Sequence, residues 1–535
     1  MSELGSGTVK LMIGRLLSMA LGFGTAPIMG HLFSPESYGI AALIGQIVRL
    51  AAALSCLGYA QAIPMSVSGG ETRGLVRLCI LLTVVLMVPV LLLPLVGGDF
   101  IAILLGGSAP KRFLWFVPII FLFSCLRQIG TYTLARERRF GWLAFAEASD
   151  RGVARPLQIA LGWFIGGSAL FLLLGTALGL GVSAAAAACV IAPVFLKKKA
   201  DKGSGSFSIF AVAKKYQQFP KVQLWNTVLN VSSQSMPIIL MGALFGAAMV
   251  GYYNFGRLLL TLPMAILGNS VAKVFYPEAA AEWHETQSMA PSIYRTVRIL
   301  AATCIFPIVT VAVLGPVLFA TAMGERWREA GVYTQIMSPW IIVALFSSPI
   351  STIFLIRKRA GLLFLYNVVL IAARPAALVT GKGLALLASP VFFMFLSSAL
   401  SGSESLSAGG VLLGIVGPAA RFVQGWASGP RVALMLFSLA GFAVQLHLLA
   451  TAMKLGHARR RLMLPVLLKE TARGLCLLGP AAVAYWVFES SVFCFAFLGA
   501  AGLAKVALLY HSEPVVRTKL RDILGRVFRE KAPAA

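Results

Sequence analysis

Acidic residues are scarce in this chain: 19 Asp and Glu stand against 46 Lys and Arg in 535 residues, a formal net charge of +27. Charge of either sign is also sparse, at 12% of residues, where a soluble globular protein carries about 25%. With 58% hydrophobic residues and a mean hydropathy of +0.85, the composition excludes a soluble globular protein and implies a polytopic membrane protein. The seven cysteines (Cys56, Cys79, Cys125, Cys189, Cys304, Cys476 and Cys494) lie in or beside apolar segments. None forms a CxxC pair or a Cys/His ligand spacing, which argues against a disulfide framework or metal site and leaves them as small buried hydrophobes. The five histidines (His31, His284, His447, His457 and His511) are scattered, without metal-ligand spacing or a Ser/His/Asp set. Phosphate-binding GxGxxG and Walker-type loops are absent, so neither an ATP-hydrolysing engine nor a cofactor is expected. Basic residues form short clusters between apolar stretches rather than one face interleaved with stacking aromatics, so nucleic acid is not an expected partner.

What is present is a series of apolar windows, each near the roughly 20 residues that a membrane span needs. Sixteen can be drawn, from 11–30 to 492–510. No A-x-A cleavage site follows Lys10 and Arg15 before Ser34-Pro35, so the first window reads as a retained span. With the N-terminus inside, twenty-nine basic residues fall on cytoplasmic segments and six on the other side, which orients both termini to the cytoplasm. The expected fold is an all-α polytopic membrane protein with two pseudo-symmetric six-helix lobes plus additional C-terminal transmembrane helices, fourteen to sixteen spans in all. The expected divisions are an N-terminal six-helix lobe (1–196), a basic cytoplasmic linker (197–220) and a C-terminal lobe (221–453) with an inserted hairpin at 384–430. A cytoplasmic loop with two additional helices (454–510) and a basic cytoplasmic tail (511–535) complete the chain.

A weak repeat at an offset of 212 residues supports two lobes. Leu32-Phe33 followed by Gly39 corresponds to Leu244-Phe245 followed by Gly251, each time in a tight hairpin between two spans. Equal sidedness makes the repeat parallel. In transporters the substrate site lies at the interface between such halves.

The hydrophobic windows hold eleven cations: Arg15, Arg49, Arg127, Arg151, Arg155, Lys221, Arg257, Lys273, Arg374, Arg421 and Lys505. They hold two acids, Glu147 and Asp150. An intramembrane cation costs about 2.5–3.5 kcal/mol on insertion scales and is a functional hypothesis by default. Lys221 and Lys273 lie near cytoplasmic ends, where long side chains snorkel to the interface, and the same reading suits Arg421 and Lys505. Arg49 and Arg257 lie near mid-span. At the 212 offset Arg257 falls opposite Gly45, one helical turn before Arg49, so the two project from similar faces of repeat-related helices. They are the first candidates for an anion site, with burial against backbone carbonyls as the alternative. Arg15, Arg127 and Arg374 are further candidates, open between cavity and structural roles. Glu147, Asp150, Arg151 and Arg155 share one helix face by i,i+3 and i,i+4 spacing. That face is either a self-compensating ion-pair ladder or a carboxylate site for ion coupling. Arg326 and Arg328 are expected to pair locally near Glu325 and Glu329.

The motifs also resemble a family. Leu32-Phe33-Ser34-Pro35-Glu36-Ser37-Tyr38-Gly39, then Leu57-Gly58 through Ala62-Ile63, is similar to the opening of bacterial polysaccharide flippases, the Wzx-like branch of the superfamily that includes MATE exporters and lipid II flippases. Phe219-Pro220, Val250-Gly251-Tyr252-Tyr253, Arg257, Phe275-Tyr276-Pro277, Gly324-Glu325-Arg326-Trp327 and Ser348-Pro349 follow in that family's order. The resemblance implies a bacterial inner-membrane, multi-pass transporter of polyprenyl-diphosphate-linked oligosaccharide, in contact with membrane lipids and working beside a polysaccharide polymerase and a chain-length regulator. It implies no catalytic residue. Arginine suits such a substrate because its planar fork binds phosphate oxygens and stays charged when desolvated. A MATE-like ion-coupled exporter of small molecules is the alternative, although a site for cationic drugs calls for acids. A membrane glycosyltransferase or ligase would need a catalytic carboxylate or a large outer loop, and the longest outer segment, near 97–112, holds only Asp99.

Overall fold

The computed structural model describes residues 14, 17–98, 111–196, 209–264, 269–387, 429–458, 463–488 and most of 498–508. Arg15, Arg421, Cys494, most of the 384–430 hairpin, the first part of the basic linker and the C-terminal tail lie outside the described residues, as does the side chain of Lys273.

Within the described residues every regular element is helical. The helices are α1 (Ala26–Leu32), α2 (Pro35–Leu54), α3 (Gly69–Val96), α4 (Phe116–Arg136), α5 (Phe140–Phe164), α6 (Ala169–Leu196), α7 (Ile209–Lys215) and α8 (Leu224–Phe245). They continue as α9 (Ala247–Pro263), α10 (Asn269–Thr286), α11 (Ala290–Met323), α12 (Arg328–Ile350), α13 (Ile353–Ile356), α14 (Ala360–Leu387), α15 (Gly429–Leu455) and α16 (Met463–Phe488). Nine of the described helical stretches are long and apolar enough to cross a membrane. Helix α5 has the length, 25 residues, but carries Glu147, Asp150, Arg151 and Arg155.

Local chemistry sets several boundaries. Ser34 caps α2, its side chain accepting the Ser37 N–H at 3.1 Å, with Pro35 in the first turn. Ser68 caps α3 by accepting the Glu71 N–H at 3.2 Å, while Glu71 accepts the Val67 N–H at 3.1 Å. Helix α2 ends where Cys56, Leu57 and Gly58 take left-handed backbone angles (φ 54°, 46° and 81°). A 3₁₀ stretch, Ser55–Met65, continues the crossing. Cys56 is fully buried there against α3, its thiol 3.7 Å from the Thr83 hydroxyl.

Three turns on the side assigned to the cytoplasm share one construction. Arg138, Lys358 and His457 occupy the left-handed C-cap position, with the next residue's N–H closing back at 3.0, 2.7 and 2.9 Å onto Leu134, Phe354 and Met453. On the opposite side the left-handed position falls on Gly246 and Gly324. Left-handed backbone costs an L-residue about 1–2 kcal/mol, which glycine at the second set avoids.

The chain divides into two compact units: Met1–Asn254 with Ala322–Trp327 and Pro375–Ala433, and Phe255–Thr321 with Arg328–Arg374 and Leu434–Ala535. The core of the first includes Tyr59, Ile63, Cys79, Ile129, Val212 and Phe219 around the α2 break. In it Glu71, almost fully buried, receives Lys215 Nζ and, at 3.1 Å, the Tyr216 hydroxyl, which ties the end of α7 to α3. That hydrogen bond pushes the Lys215 ammonium above its ordinary pKa. In the second unit, α16 begins at Met463, well before the apolar window at 474, and thereby brings Glu470 to Lys505 at 2.5 Å and to Arg473 at 2.7 Å. Lys505 was expected to snorkel. It is instead buried and paired, because the helix extension delivers a carboxylate that the apolar window leaves out.

Candidate functional site

The repeat seen in sequence becomes a physical contact in the first unit. A Cβ on Gly39 would collide with the carbonyl oxygen of Ala247, and a Cβ on Gly251 with that of Pro35. At the 212 offset these two contacts exchange with each other: Gly39 maps to Gly251 and Pro35 to Ala247. Each helix thus presents a small-xxx-small stripe, Pro35 to Gly39 and Ala247 to Gly251, which lets the two backbones cross closely. Both stripes occupy the first turn of their helices, α2 and α9.

Other turns join this crossing. Trp327, fully buried, donates its indole N–H to the Gly30 carbonyl at 2.9 Å, and its ring meets Tyr38 (5.6 Å) and Tyr252 (6.2 Å) edge to face. Arg326 donates to the same Gly30 carbonyl at 2.9 Å and to that of His31. The sequence expectation of a local pair for Arg326 is therefore corrected: the tight turn at Gly324 aims its guanidinium at carbonyls freed at the end of α1. Ser37 donates to the Gly167 carbonyl at 2.9 Å, and Lys382 to the Leu244 carbonyl at the end of α8 at 3.0 Å. The turns after α1, at Gly167, after Leu244 and at Gly324 are thus each held or joined through a backbone carbonyl.

The sequence-predicted cations separate by their surroundings. Arg49, exposed on α2, donates to Gln234 Oε1 of α8 at 3.3 Å, and Gln234 in turn donates to Asn230 at 2.9 Å. One turn earlier, Ser235 donates to Gln46 at 2.9 Å. Sequence reading missed Gln46, Asn230 and Gln234, since neutral amides in a span carry no charge signal. Arg257 belongs to α9 in the second unit, and among the described residues no hydrogen bond or ion pair reaches its guanidinium. Thr261 takes only its backbone carbonyl. Arg127 of α4 acts on Asp150 together with Arg151 and Arg155, and its Nε is buried without a partner among the described residues. Arg155 donates to Gln158 at 3.2 Å, while Arg151 reaches toward the Ser18 carbonyl at 3.5 Å. The face of α5 is therefore polar around Asp150.

Arg374 sits over two rings of the second unit, 4.3 Å from the centre of Trp340 and 5.5 Å from that of Phe437. The rings themselves pack edge to face at 5.6 Å. Their negative faces attract its charge. Lys221 reaches back to Gln217 at 2.9 Å in an exposed position, the geometry of a snorkelling lysine. Among the described residues no three His, Cys, Asp or Glu side chains gather as a metal site.

Helices of this length and hydropathy define a polytopic membrane protein. Solved structures share the fold. The lipid II flippase MurJ in an inward closed conformation superposes with a TM-score of 0.62 at 12% identity, covering 94% of this chain and 98% of that one. An inward-facing multidrug resistance MATE family transporter of the MOP superfamily gives 0.53 at 13% identity, covering 84% and 99%. The chain belongs to the polysaccharide biosynthesis protein family, whose model matches residues 28–332. Teichuronic acid biosynthesis protein TuaB of Bacillus subtilis (strain 168) is 25% identical over 155 residues, 29% of this chain; the match spans 32% of TuaB's own length.

Proposed function

We propose that this protein is a flippase that moves polyprenyl-diphosphate-linked oligosaccharide repeat units across the bacterial inner membrane for cell-surface polysaccharide assembly (O-antigen, capsule or exopolysaccharide). The observation that carries the reading is the reciprocal crossing of Gly39 on Ala247 and Gly251 on Pro35, a repeat-related contact of the kind that alternating access must make and break. The family and the likeness to a protein titled a lipid II flippase favour a lipid-linked sugar as cargo. The charge balance favours an anionic one. Arg49 and Arg257 are the proposed diphosphate ligands, with Arg15, Arg127 and Arg374 in supporting roles. Among the described residues no hydrogen bond or ion pair reaches the Arg257 guanidinium, and Arg49 donates to the neutral amide of Gln234. Both termini are placed in the cytoplasm by the positive-inside bias. Product then passes to a polymerase and a chain-length regulator.

The MATE likeness supports a second reading, ion-coupled export of small molecules. The two readings separate on charge, since a site for cationic drugs calls for acids and the hydrophobic windows hold eleven cations against two acids.

The test replaces Arg49 and Arg257 singly with Ala and with Lys, then measures surface polysaccharide and inner-leaflet accumulation of the lipid-linked repeat. Loss of a charged hydrogen bond to phosphate is expected to weaken binding by about 1.5–3 kcal/mol, with Lys restoring charge but not the bidentate fork. Normal transport by both Ala variants would sink the diphosphate assignment.

A further inference from the structure

Among the nine described stretches able to cross a membrane, α8 has the lowest mean hydropathy, 1.4 over its window. Its polar side chains are not scattered. Asn226, Asn230 and Gln234 follow one another at i,i+4 spacing and so share one face over about 12 Å. The row climbs from the end of α8 that the charge rule puts at the cytoplasm to the level of Arg49. Asn226 and Asn230 are exposed, and Gln234 is half-buried. Helices α2 and α8 both belong to the first unit.

Two other polar pairs on α8 have a different task. Buried Ser235 donates to Gln46 of α2 at 2.9 Å, and Thr227 accepts from Gln61 of the 3₁₀ stretch at 3.3 Å. These bonds hold helices together, the common use of polar groups between membrane spans. Asn226 and Asn230 make no such bond. Among the described residues no hydrogen bond reaches the Asn226 amide, and Asn230 Nδ2 has no acceptor. An exposed amide without a partner is costly against hydrocarbon, so this face borders water or cargo rather than lipid tails.

Arg49 sets the direction of the row. A guanidinium only donates, so Gln234 turns its oxygen to Arg49 at 3.3 Å and its NH2 to Asn230 Oδ1 at 2.9 Å. Asn230 is left with its own NH2 pointing away from the row. A sugar hydroxyl both accepts and donates, so it can take that N–H and give its proton to an amide oxygen, the pairing that Asn226 and Asn230 offer together. An ionised phosphate oxygen has no proton to give. It is served by the arginine, and the amides are left for the hydroxyls.

We propose that Asn226 and Asn230 form a hydroxyl-binding subsite for the sugars nearest the diphosphate, on the cytoplasmic side of Arg49, with Gln234 as the positioning residue that relays the direction set by the arginine. This rests on the flippase reading above. The cargo is then read twice, its charge at Arg49 and its hydroxyls along α8. A site built to hydrogen-bond a hydroxyl rejects the analogue that lacks it.

The experiment uses full-length protein in liposomes and two probes: the lipid-linked repeat that accumulates in cells lacking this protein, and the same polyprenyl diphosphate without sugar. The quantity read is the ratio of the two affinities. Wild type is expected to favour the sugared lipid. Asn226→Leu and Asn230→Leu should each weaken the sugared lipid by about 2–10-fold, the worth of one neutral hydrogen bond, and the double variant by about 5–100-fold. Binding of the bare lipid should not change, because neither asparagine meets the phosphate. Gln234→Leu should lower the same ratio with both asparagines still present. Gln46→Leu, which breaks a helix-joining bond, should lower thermal stability and leave the ratio alone, so a fall in the ratio is not the mark of general damage. If a leucine variant fails to fold, Asn230→Ala, which adds no bulk, decides in its place. An unchanged ratio in the double variant or in Gln234→Leu would overturn the proposal. So would equal weakening of both lipids in the asparagine variants. A wild-type protein that binds both lipids equally sinks this inference and leaves the flippase reading standing; one that binds neither sinks that reading too.

Discussion

The crossing of α2 and α9 makes the sharpest test of how this fold works. Gly39→Ala places one methyl group on the Ala247 carbonyl oxygen, and Gly251→Ala places one on that of Pro35. Neither obstacle is a flexible side chain. Each carbonyl belongs to the first residue of its helix, one turn before the partner glycine, so the two helices must separate as bodies. Overpacking of this sort costs about 1–3 kcal/mol, and a bias of that size changes a two-state population by about 5–150-fold. If the crossing exists in only one stage of the cycle, the methyl group depopulates that stage and leaves the others alone. A cysteine at Met323, buried here against Gly30, reports this. In a chain whose native cysteines are replaced, its labelling by an impermeant thiol reagent should rise by that factor in either variant. Because both substitutions break one contact, the double variant should exceed the singles by much less than additivity predicts. Unchanged labelling and transport in both variants would refute the reasoning. An equal loss of thermal stability with no change in labelling would mean that the crossing is permanent scaffold.

Trp327→Phe keeps the ring stack and removes the bond to the Gly30 carbonyl, which Arg326 continues to serve; a loss of about 1 kcal/mol is expected in thermal or denaturant unfolding, and more when Arg326→Ala is added. Trp340→Leu removes the better ring under Arg374 and should destabilise by about 1–2 kcal/mol beyond the lost packing, measured against the same substitution in an Arg374→Met background. Glu470→Leu leaves Lys505 buried and unpaired, a loss of about 3–5 kcal/mol. Lys505→Met should be milder because Arg473 still answers Glu470. The reverse order in thermal unfolding would refute that account. The Lys215 ammonium, raised by Glu71, lends α7 stability that is complete below the ordinary lysine pKa and fades only as pH rises through the raised value, so proteolysis after Lys215 should be flat at neutral pH and increase in strong alkali.

Much of this was legible in the residues. Apolar windows, a shortage of acid and the sidedness of Lys and Arg determine a helical, multi-pass membrane protein, because hydrocarbon leaves a backbone few other ways to satisfy itself. The 212-residue repeat named Gly39 and Gly251 as equivalent. It could not say that they touch, since periodicity carries no distance. Span charges were legible as a list, but their partners were not. Gln234 for Arg49 and the Trp340 and Phe437 rings for Arg374 come from other helices, and neutral or aromatic partners leave no trace in charge counting. Lys505 was misread for a related reason: its carboxylate lies thirty-five residues away, on a helix that extends beyond its apolar core. What the sequence by itself determined was the solvent in which the protein folds, the side of that solvent on which its charge lies, and its doubling. Only the tertiary structure decided which charges are answered inside the protein and which stay available, because that depends on contacts between helices far apart in the chain.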